Sequence, residues 1–266
     1  MTANVNLQGI RGDGWQRGLA PLMRREMRNW WGNRRWIIQT LLWAVVRVGG
    51  LAFGLYALPA IMAADGMPVS QSDALDNGIQ MFFGLGLVGL AIGAVVMLQD
   101  AIIEEKASGT AEWVLSKPVS RTAYVIAKLL PNLFGMFVTM ILIPVLLGYA
   151  LLRSFGAEFT ASQFLFSEGI VILNLFFYVT LTLMLGVLFQ SRGPLLAIAL
   201  GSLFGGSLVP IAAIAQFTPW HLGNLVILPM MGMPLPPVAL IMLASTAVWS
   251  ILFIAVAIWR FNKQEF

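Results

Sequence analysis

Long uninterrupted apolar stretches constrain the fold of this chain more than any other feature of its sequence. Six of them are long enough to cross a hydrocarbon core of about 30 Å. These are residues 36–63, 79–98, 124–152, 170–189, 195–215 and 238–259. Backbone groups inside a bilayer must be hydrogen-bonded within the protein, which selects helices. The sequence therefore predicts an all-α polytopic membrane protein with six transmembrane helices.

The composition excludes a soluble globular domain. Hydrophobic residues make up 59% of the 266 residues and charged residues 11%, against about 45–50% and about 25% in soluble domains. A transmembrane β-barrel would instead show alternating segments of roughly ten residues. The chain contains no cysteine and one histidine, His221, so we predict no metal site.

Lys and Arg residues are distributed unevenly between the two ends of the predicted spans. They precede the first span, lie around the second-to-third connection, occupy the fourth-to-fifth turn and follow the last span. The opposite face holds Arg153 and the acidic residues Asp65, Asp73, Asp76, Glu158 and Glu168. Because short cytoplasmic loops carry the positive excess, we predict that both termini are cytoplasmic. This topology accounts for the net charge of +4 without a nucleic-acid partner.

The segment before the first span has the pattern of an amphipathic helix. Apolar residues between positions 15 and 31 recur at steps of three and four, and arginines form the opposite stripe. Such a helix lies on the membrane surface among the lipid headgroups, and we call it the elbow helix. We expect one domain, with residues 1–35 as its cytoplasmic N-terminus and elbow and residues 36–266 as its six-helix transmembrane part.

Glu26 interrupts the apolar stripe of the elbow helix. A lone carboxylate is costly at an apolar position. Two interpretations are open: Glu26 pairs with an elbow arginine or snorkels, or it contacts a partner or the cytoplasmic ends of other spans.

The densest polar block in the chain is DAIIEEKASGTAEWVLSKPVSRTAYVIAK, between the second and third spans. Gly109 suits the left-handed conformation that ends a helix, and Thr110 is suited to cap a new short helix. Pro118 stops that helix, and Ser120 or Thr122 can cap the third span. We therefore expect a short amphipathic helix below the membrane, shaped to fit a cleft in a cytoplasmic partner.

The pattern E-x-x-x-x-G-T-x-E-x-x-L-S-x-P-V-S-R in this block resembles the first cytoplasmic loop of type-2 ABC transporter (ABC-2) permeases, where it forms the coupling helix that docks on the ATPase subunit. The matching positions are Glu105, Lys106, Gly109, Thr110, Glu112, Leu115, Pro118, Val119, Ser120, Arg121 and Lys128. Trp113 and Val114 replace part of the family's leucine run, and Ala127 stands where glycine is usual.

The resemblance extends to the six spans, the cytoplasmic termini and an R-R-E elbow at Arg24, Arg25 and Glu26. It implies that a set of hairpin residues couples this chain to an ATPase. That set is Glu105, Gly109, Thr110, Glu112, Trp113, Leu115, Pro118 and Arg121.

The resemblance further implies the permease subunit of an ATP-driven exporter in a bacterial-type inner membrane, beside a second copy or a homologous chain. Since the sequence has no G-x-x-x-x-G-K-[ST] phosphate loop, ATP and Mg²⁺ would be bound by separate ATPase subunits. This chain would hold no cofactor and would not itself be an enzyme. The E-A-A loop of importers is absent, which favours export. The alternatives are a membrane scaffold or assembly protein without transport and, less favoured, an intramembrane enzyme.

Polar residues inside the spans are candidates for a translocation path. Arg47 lies eleven residues into the first span, where insertion of an arginine costs about 2.5–3.5 kcal/mol. It either faces the bundle interior or a polar cavity, or snorkels to the cytoplasmic interface. Asn174, Tyr178 and Thr182 follow at steps of four in the fourth span. They either line the path or make interhelical hydrogen bonds.

Two glycine pairs at small-x-x-x-small spacing, Gly89 with Gly93 and Gly201 with Gly205, allow close approach of helices. They either pack one bundle or, as the resemblance implies for the second and fifth spans, lie between two permease chains. Between the fifth and sixth spans, residues 216–237 contain five prolines, which exclude a continuous helix. We expect a re-entrant or interfacial segment there, at the outer mouth.

Overall fold

A computed structural model describes residues 14–205 and 216–264, and every regular element in these two ranges is helical. The α-helices are α1 (Leu19–Trp31), α2 (Arg35–Ala52), α3 (Leu58–Ala64), α4 (Gln71–Leu98), α5 (Asp100–Ala107), α6 (Thr110–Leu115), α7 (Arg121–Met136), α8 (Ile143–Ser154), α9 (Ala161–Leu188), α10 (Arg192–Gly205), α11 (Gly223–Val226) and α12 (Ala239–Asn262). Two π-helical segments, Phe53–Ala57 and Phe137–Leu142, join α2 to α3 and α7 to α8. The predicted all-helical class is confirmed.

Within the described ranges, five helical segments are long and apolar enough to cross a membrane. They are Arg35–Ala64, Gln71–Ala107, Arg121–Ser154, Ala161–Leu188 and Ala239–Asn262. Helix α10 has 14 residues, or about 21 Å, which is short of the hydrocarbon thickness. The rest of the predicted fifth span falls on residues 206–215, outside the described ranges, so the sixth crossing stays a prediction.

Two of the spanning helices begin earlier than the apolar stretches predicted. The Ser70 side chain accepts a hydrogen bond from the Asp73 amide at 3.1 Å and starts α4 there. Thr160 and Gln163 form a reciprocal capping box at the start of α9. Such polar capping turns stabilise the first helical turn but contribute nothing to an apolar stretch, so hydropathy places the start of each helix too late.

Helix α9 forms the centre of the bundle. Over an apolar stretch of 18 residues, 78% of the residues of α9 are buried, against 22% in α12. It packs against α4, α5, α10 and α12, and α4 also packs against α2. The elbow helix α1 lies along α7. The outer faces of α2 and α12 therefore carry exposed apolar side chains, as lipid-facing helices do.

The predicted glycine pairs have different surroundings. A methyl group at Gly93 would lie 2.2 Å from the Trp43 ring, and one at Gly89 would lie 3.5 Å from it. Gly93 therefore allows the close packing of α4 against α2 within one chain, whereas a methyl group at Gly89 would make only an ordinary contact with the same ring. A methyl group at Gly201 or Gly205 would meet no described atom within 4 Å, so an interface between chains at this face of α10 stays a prediction.

The proline-rich outer segment is broken into short elements. A 3₁₀ turn, Pro219–His221, leads into the four-residue helix α11. Leu222, Leu225 and Val226 are buried, and α11 packs on α9 and α4. The segment thus closes one end of the bundle, and its position relative to a bilayer stays a prediction.

Candidate coupling site

The hairpin between α5 and α7 is built around two turns. Gly109 has a φ of +70° after α5, the left-handed conformation that glycine adopts without strain. The Gly109 carbonyl accepts the Trp113 amide at 3.0 Å, so Gly109 is the N-cap of α6. The prediction that Thr110 caps this helix is therefore wrong, because Thr110 is its first residue and its hydroxyl lies 2.8 Å from that of Ser108.

At the second turn, Ser120 rather than Thr122 caps α7. The Ser120 hydroxyl accepts the Ala123 amide at 3.0 Å, and the Ser120 amide donates to the Arg17 carbonyl at 2.9 Å. Pro118 lies between the two helices and is exposed. The turn is therefore tied to the segment that precedes the elbow helix.

Helix α6 has one buried face and one exposed face. Ala111 and Val114 are buried, whereas Glu112 is exposed and Trp113 is 62% exposed. The Lys117 ammonium lies 3.3 Å from the centre of the Trp113 ring, a cation–π contact. An aromatic ring and charged groups are thus presented to the solvent at the tip of the hairpin.

The carboxylate of Glu105, on α5, is the centre of an ion network. It accepts hydrogen bonds from Arg25 at 3.0 Å, Lys128 at 2.8 Å and the Tyr124 hydroxyl at 2.5 Å. Lys128 also bonds Glu26 at 2.7 Å. Two carboxylates and two cations therefore join the elbow helix, α5 and α7, which we call the hairpin network.

This network settles the two interpretations of Glu26. Its carboxylate is buried and contacts Lys128 at the predicted cytoplasmic end of the third span, so the pairing with an elbow arginine is wrong. The Trp30 indole also donates to Asn132 of α7 at 2.8 Å. The elbow helix is thus fastened along α7.

Helix α5 is also tied to the turn between α9 and α10. The Lys106 ammonium donates to the carbonyls of Val187 at 3.1 Å and Phe189 at 2.7 Å, where the carbonyls of a helix C-terminus lack partners. Asp100 forms an ion pair with Arg192, the first residue of α10. Helix α5 therefore contacts the end of the fourth span and the start of α10.

The C-terminal segment is attached to the same site. Arg121 donates to the Asn262 carbonyl at 2.7 Å, and Gln264 donates to the Val187 carbonyl at 2.8 Å. The rings of Tyr124 and Phe261 stack with centres 4.9 Å apart. Sequence reasoning missed these contacts, because no local pattern links the end of α12 to a hairpin more than a hundred residues earlier.

The predicted polar residues of the first and fourth spans lie inside the bundle. Arg47 is fully buried and bonds Glu168 of α9 at 2.5 Å, with its guanidinium 4.2 Å from the centre of the Phe82 ring. The snorkelling interpretation of Arg47 is therefore wrong. The Glu168 side chain is 2% exposed and points into the bundle, and its placement on the outer side of the membrane stays a prediction.

Asn174, Tyr178 and Thr182 are buried within the single chain. Asn174 donates to the Leu87 carbonyl of α4 at 3.0 Å, and Thr182 donates to the Tyr178 carbonyl at 2.7 Å. The Asn174 bond is interhelical and supports the packing interpretation for that residue, whereas the Thr182 bond lies within α9. A role in a translocation path stays a prediction.

The fold and the site define a multi-pass α-helical membrane protein with a structured hairpin outside the spanning helices. A family model described as "ABC-2 family transporter protein" matches residues 20–227, which include the elbow helix, the hairpin and most of the bundle. The chain belongs to this family, and it is the membrane component of an ABC transporter rather than its catalytic part. A search of curated proteins finds no match to the sequence.

Proposed function

We propose that this chain is the permease subunit of an ATP-driven exporter and that separate ATPase subunits dock on α6. The proposal rests on one observation: the amphipathic helix α6 is held in place by the contacts of the neighbouring helix α5. Helix α6 has six residues, far fewer than an isolated helix needs for stability in water. The contacts of α5 and the cap at Gly109 hold it in one orientation with Trp113 exposed.

The exposed face of α6 has the composition of a binding anchor. Exposed aromatic rings often dominate the binding energy of protein interfaces, and Trp113 is flanked by the charged Glu112 and Lys117. In this proposal the ring enters an apolar pocket of the ATPase, and the charges set the orientation of docking. ATP and Mg²⁺ are bound by the ATPase.

The hairpin contacts two separate parts of the bundle. Glu105 links α5 to the elbow helix and to α7, whereas Lys106 and Asp100 link it to the turn between α9 and α10. A displacement of α6 by the ATPase would therefore move the third span together with the turn between the fourth span and α10. We expect this movement to transmit the ATP-driven closure of the ATPase subunits to the membrane helices and so to open a translocation path.

The path itself is proposed to form between this chain and a second copy or a homologous permease. The small-residue face of α10, at Gly201 and Gly205, is the candidate contact, since no described residue packs against either glycine. Export is favoured by the absence of the importer-type loop, and both termini are proposed to lie in the cytoplasm of a bacterial-type cell.

Copurification of the ATPase tests the proposal. Glu112→Lys and Trp113→Ala should each leave the chain inserted but reduce ATPase recovery at least tenfold, because one reverses a charge and the other removes the ring at the contact. Glu158→Lys, an exposed charge reversal in the predicted outer loop, is the matched control and should recover the ATPase fully. Equal recovery with all three variants would contradict docking on α6 and would favour the scaffold alternative.

A further inference from the structure

A cleft lies where the elbow helix α1 meets the first spanning helix. Its volume is about 450 Å³. Residues of α1, α2, α4 and α7 line it, among them Asn29, Arg35, Ile38, Gln39, Met97 and Asn132. Arg35 is the first residue of the first spanning segment, so the cleft lies at the level where that segment enters the bilayer.

The lining of the cleft is polar at one end and apolar along one wall. The Arg35 side chain is exposed and makes no ion pair with any described residue. The side-chain oxygen Oε1 of Gln39 accepts a hydrogen bond from the Trp43 indole at 3.0 Å, which leaves the side-chain NH₂ of Gln39 able to donate. Ile38 is 62% exposed and forms the apolar wall with Met97. This combination suits a ligand that joins an acceptor group to an apolar chain.

The charge around the cleft favours an anion. Arg35 is the arginine that lines the cleft. Arg24 and Arg28 lie on the opposite face of α1 from Glu26, and the neighbouring Arg34 lies outside the lining. The acidic residue of the cleft, Glu26, bonds the Lys128 ammonium at 2.7 Å, so its charge is compensated. The lining therefore carries the uncompensated charge of Arg35, which attracts the phosphate of an anionic lipid.

We propose that this cleft binds one anionic phospholipid. Its phosphate is held by the Arg35 guanidinium and the Gln39 amide, and an acyl chain lies along Ile38 and Met97. A free phosphate would leave the apolar wall without a partner, and a zwitterionic lipid would place its own cationic group near Arg35. The lipid would contact α1, α2 and α4 together, and this inference is independent of ATPase docking.

Native mass spectrometry of the full chain in detergent tests the site. The probes are phosphatidylglycerol, phosphatidylcholine and inorganic phosphate, and the variants are Arg35→Gln and its exposed neighbour Arg34→Gln, which removes the same charge outside the cleft. We expect phosphatidylglycerol to bind at least fivefold more tightly than phosphatidylcholine. Arg35→Gln should weaken phosphatidylglycerol binding roughly fivefold, because it removes the charged donor to the phosphate. Arg34→Gln should weaken it less than twofold, because Arg34 does not line the cleft.

A second variant, Met97→Trp, fills the apolar part of the cleft and leaves every charge in place. It should also weaken phosphatidylglycerol binding, whereas a site for the phosphate group alone would be unaffected. Equal losses in the two arginine variants would show a diffuse surface charge and overturn the proposal. Equal binding of both lipids, or displacement of phosphatidylglycerol by an equal concentration of inorganic phosphate, would overturn it as well.

Discussion

The ion pair inside the bundle and the hairpin network join oppositely charged residues in very different surroundings. The Arg47 and Glu168 side chains are 0% and 2% exposed and share one hydrogen bond. Arg47 Nε and Nη1 and Glu168 Oε2 have no partner in the described structure. In the hairpin network the Glu105 carboxylate receives three donors, and the Arg25 side chain at its edge is 42% exposed.

The difference shows how strongly each region depends on its partners. Inside a bilayer no water replaces a missing partner, so removal of one member leaves a buried charge. In the hairpin network a lost contact is partly replaced by the remaining bonds and by solvent. Loss of either Arg47 or Glu168, which we call the membrane pair, should therefore remove the whole stabilising contribution of that pair. Each substitution in the hairpin network should remove only part of the stability that the network contributes.

The largest expected effect concerns the membrane pair. Arg47→Leu alone should lower the free energy of unfolding by about 3–5 kcal/mol, because it leaves Glu168 buried without its partner. The double variant Arg47→Leu/Glu168→Leu should recover most of that loss, since two apolar side chains need no partner. Denaturation in mixed lipid and detergent micelles measures both, and a double variant as unstable as the sum of the two single variants would contradict this account.

An intermediate effect is expected at the centre of the hairpin network. Glu105→Gln keeps the shape of the side chain but removes the charge that Lys128 and Arg25 share. We expect a loss of about 1–3 kcal/mol, together with reduced ATPase stimulation, because the link between α5 and the elbow helix is weakened.

Exposed Glu104, the neighbouring acid on α5, supplies the control for that variant. Glu104→Gln should change neither stability nor stimulation. A Glu105→Gln protein with unchanged stimulation would show that the network supports the fold without transmitting movement from α6.

The smallest effect is expected at the edge of the same network. Arg25→Gln removes a partly exposed ion pair, which contributes about 0–1 kcal/mol. That contribution should fall further as salt is raised, because exposed charges are screened. The loss of unfolding free energy in the Arg47→Leu variant should not depend on salt concentration. Comparable salt dependence in the two variants would remove the proposed distinction between the regions.

Several features of the hairpin were predictable because they are local. A glycine after a polar helix end and a serine before the third span specify their turns within a few residues, and both Gly109 and Ser120 occupy the predicted positions. The error at Thr110 is of the same local kind. Glycine is itself a common N-cap residue, so a Gly–Thr sequence does not show which of the two residues caps the helix.

The sequence by itself determined the membrane class, the helices and the family resemblance, since each depends on hydrophobicity and spacing along the chain. Only the tertiary structure decided that Glu26 bonds Lys128 and that Arg47 bonds Glu168, pairs separated by 102 and 121 positions. Helical periodicity identifies the face on which a residue lies. Which helix lies opposite that face depends on the packing of the whole bundle, where every buried charge must meet an opposite one.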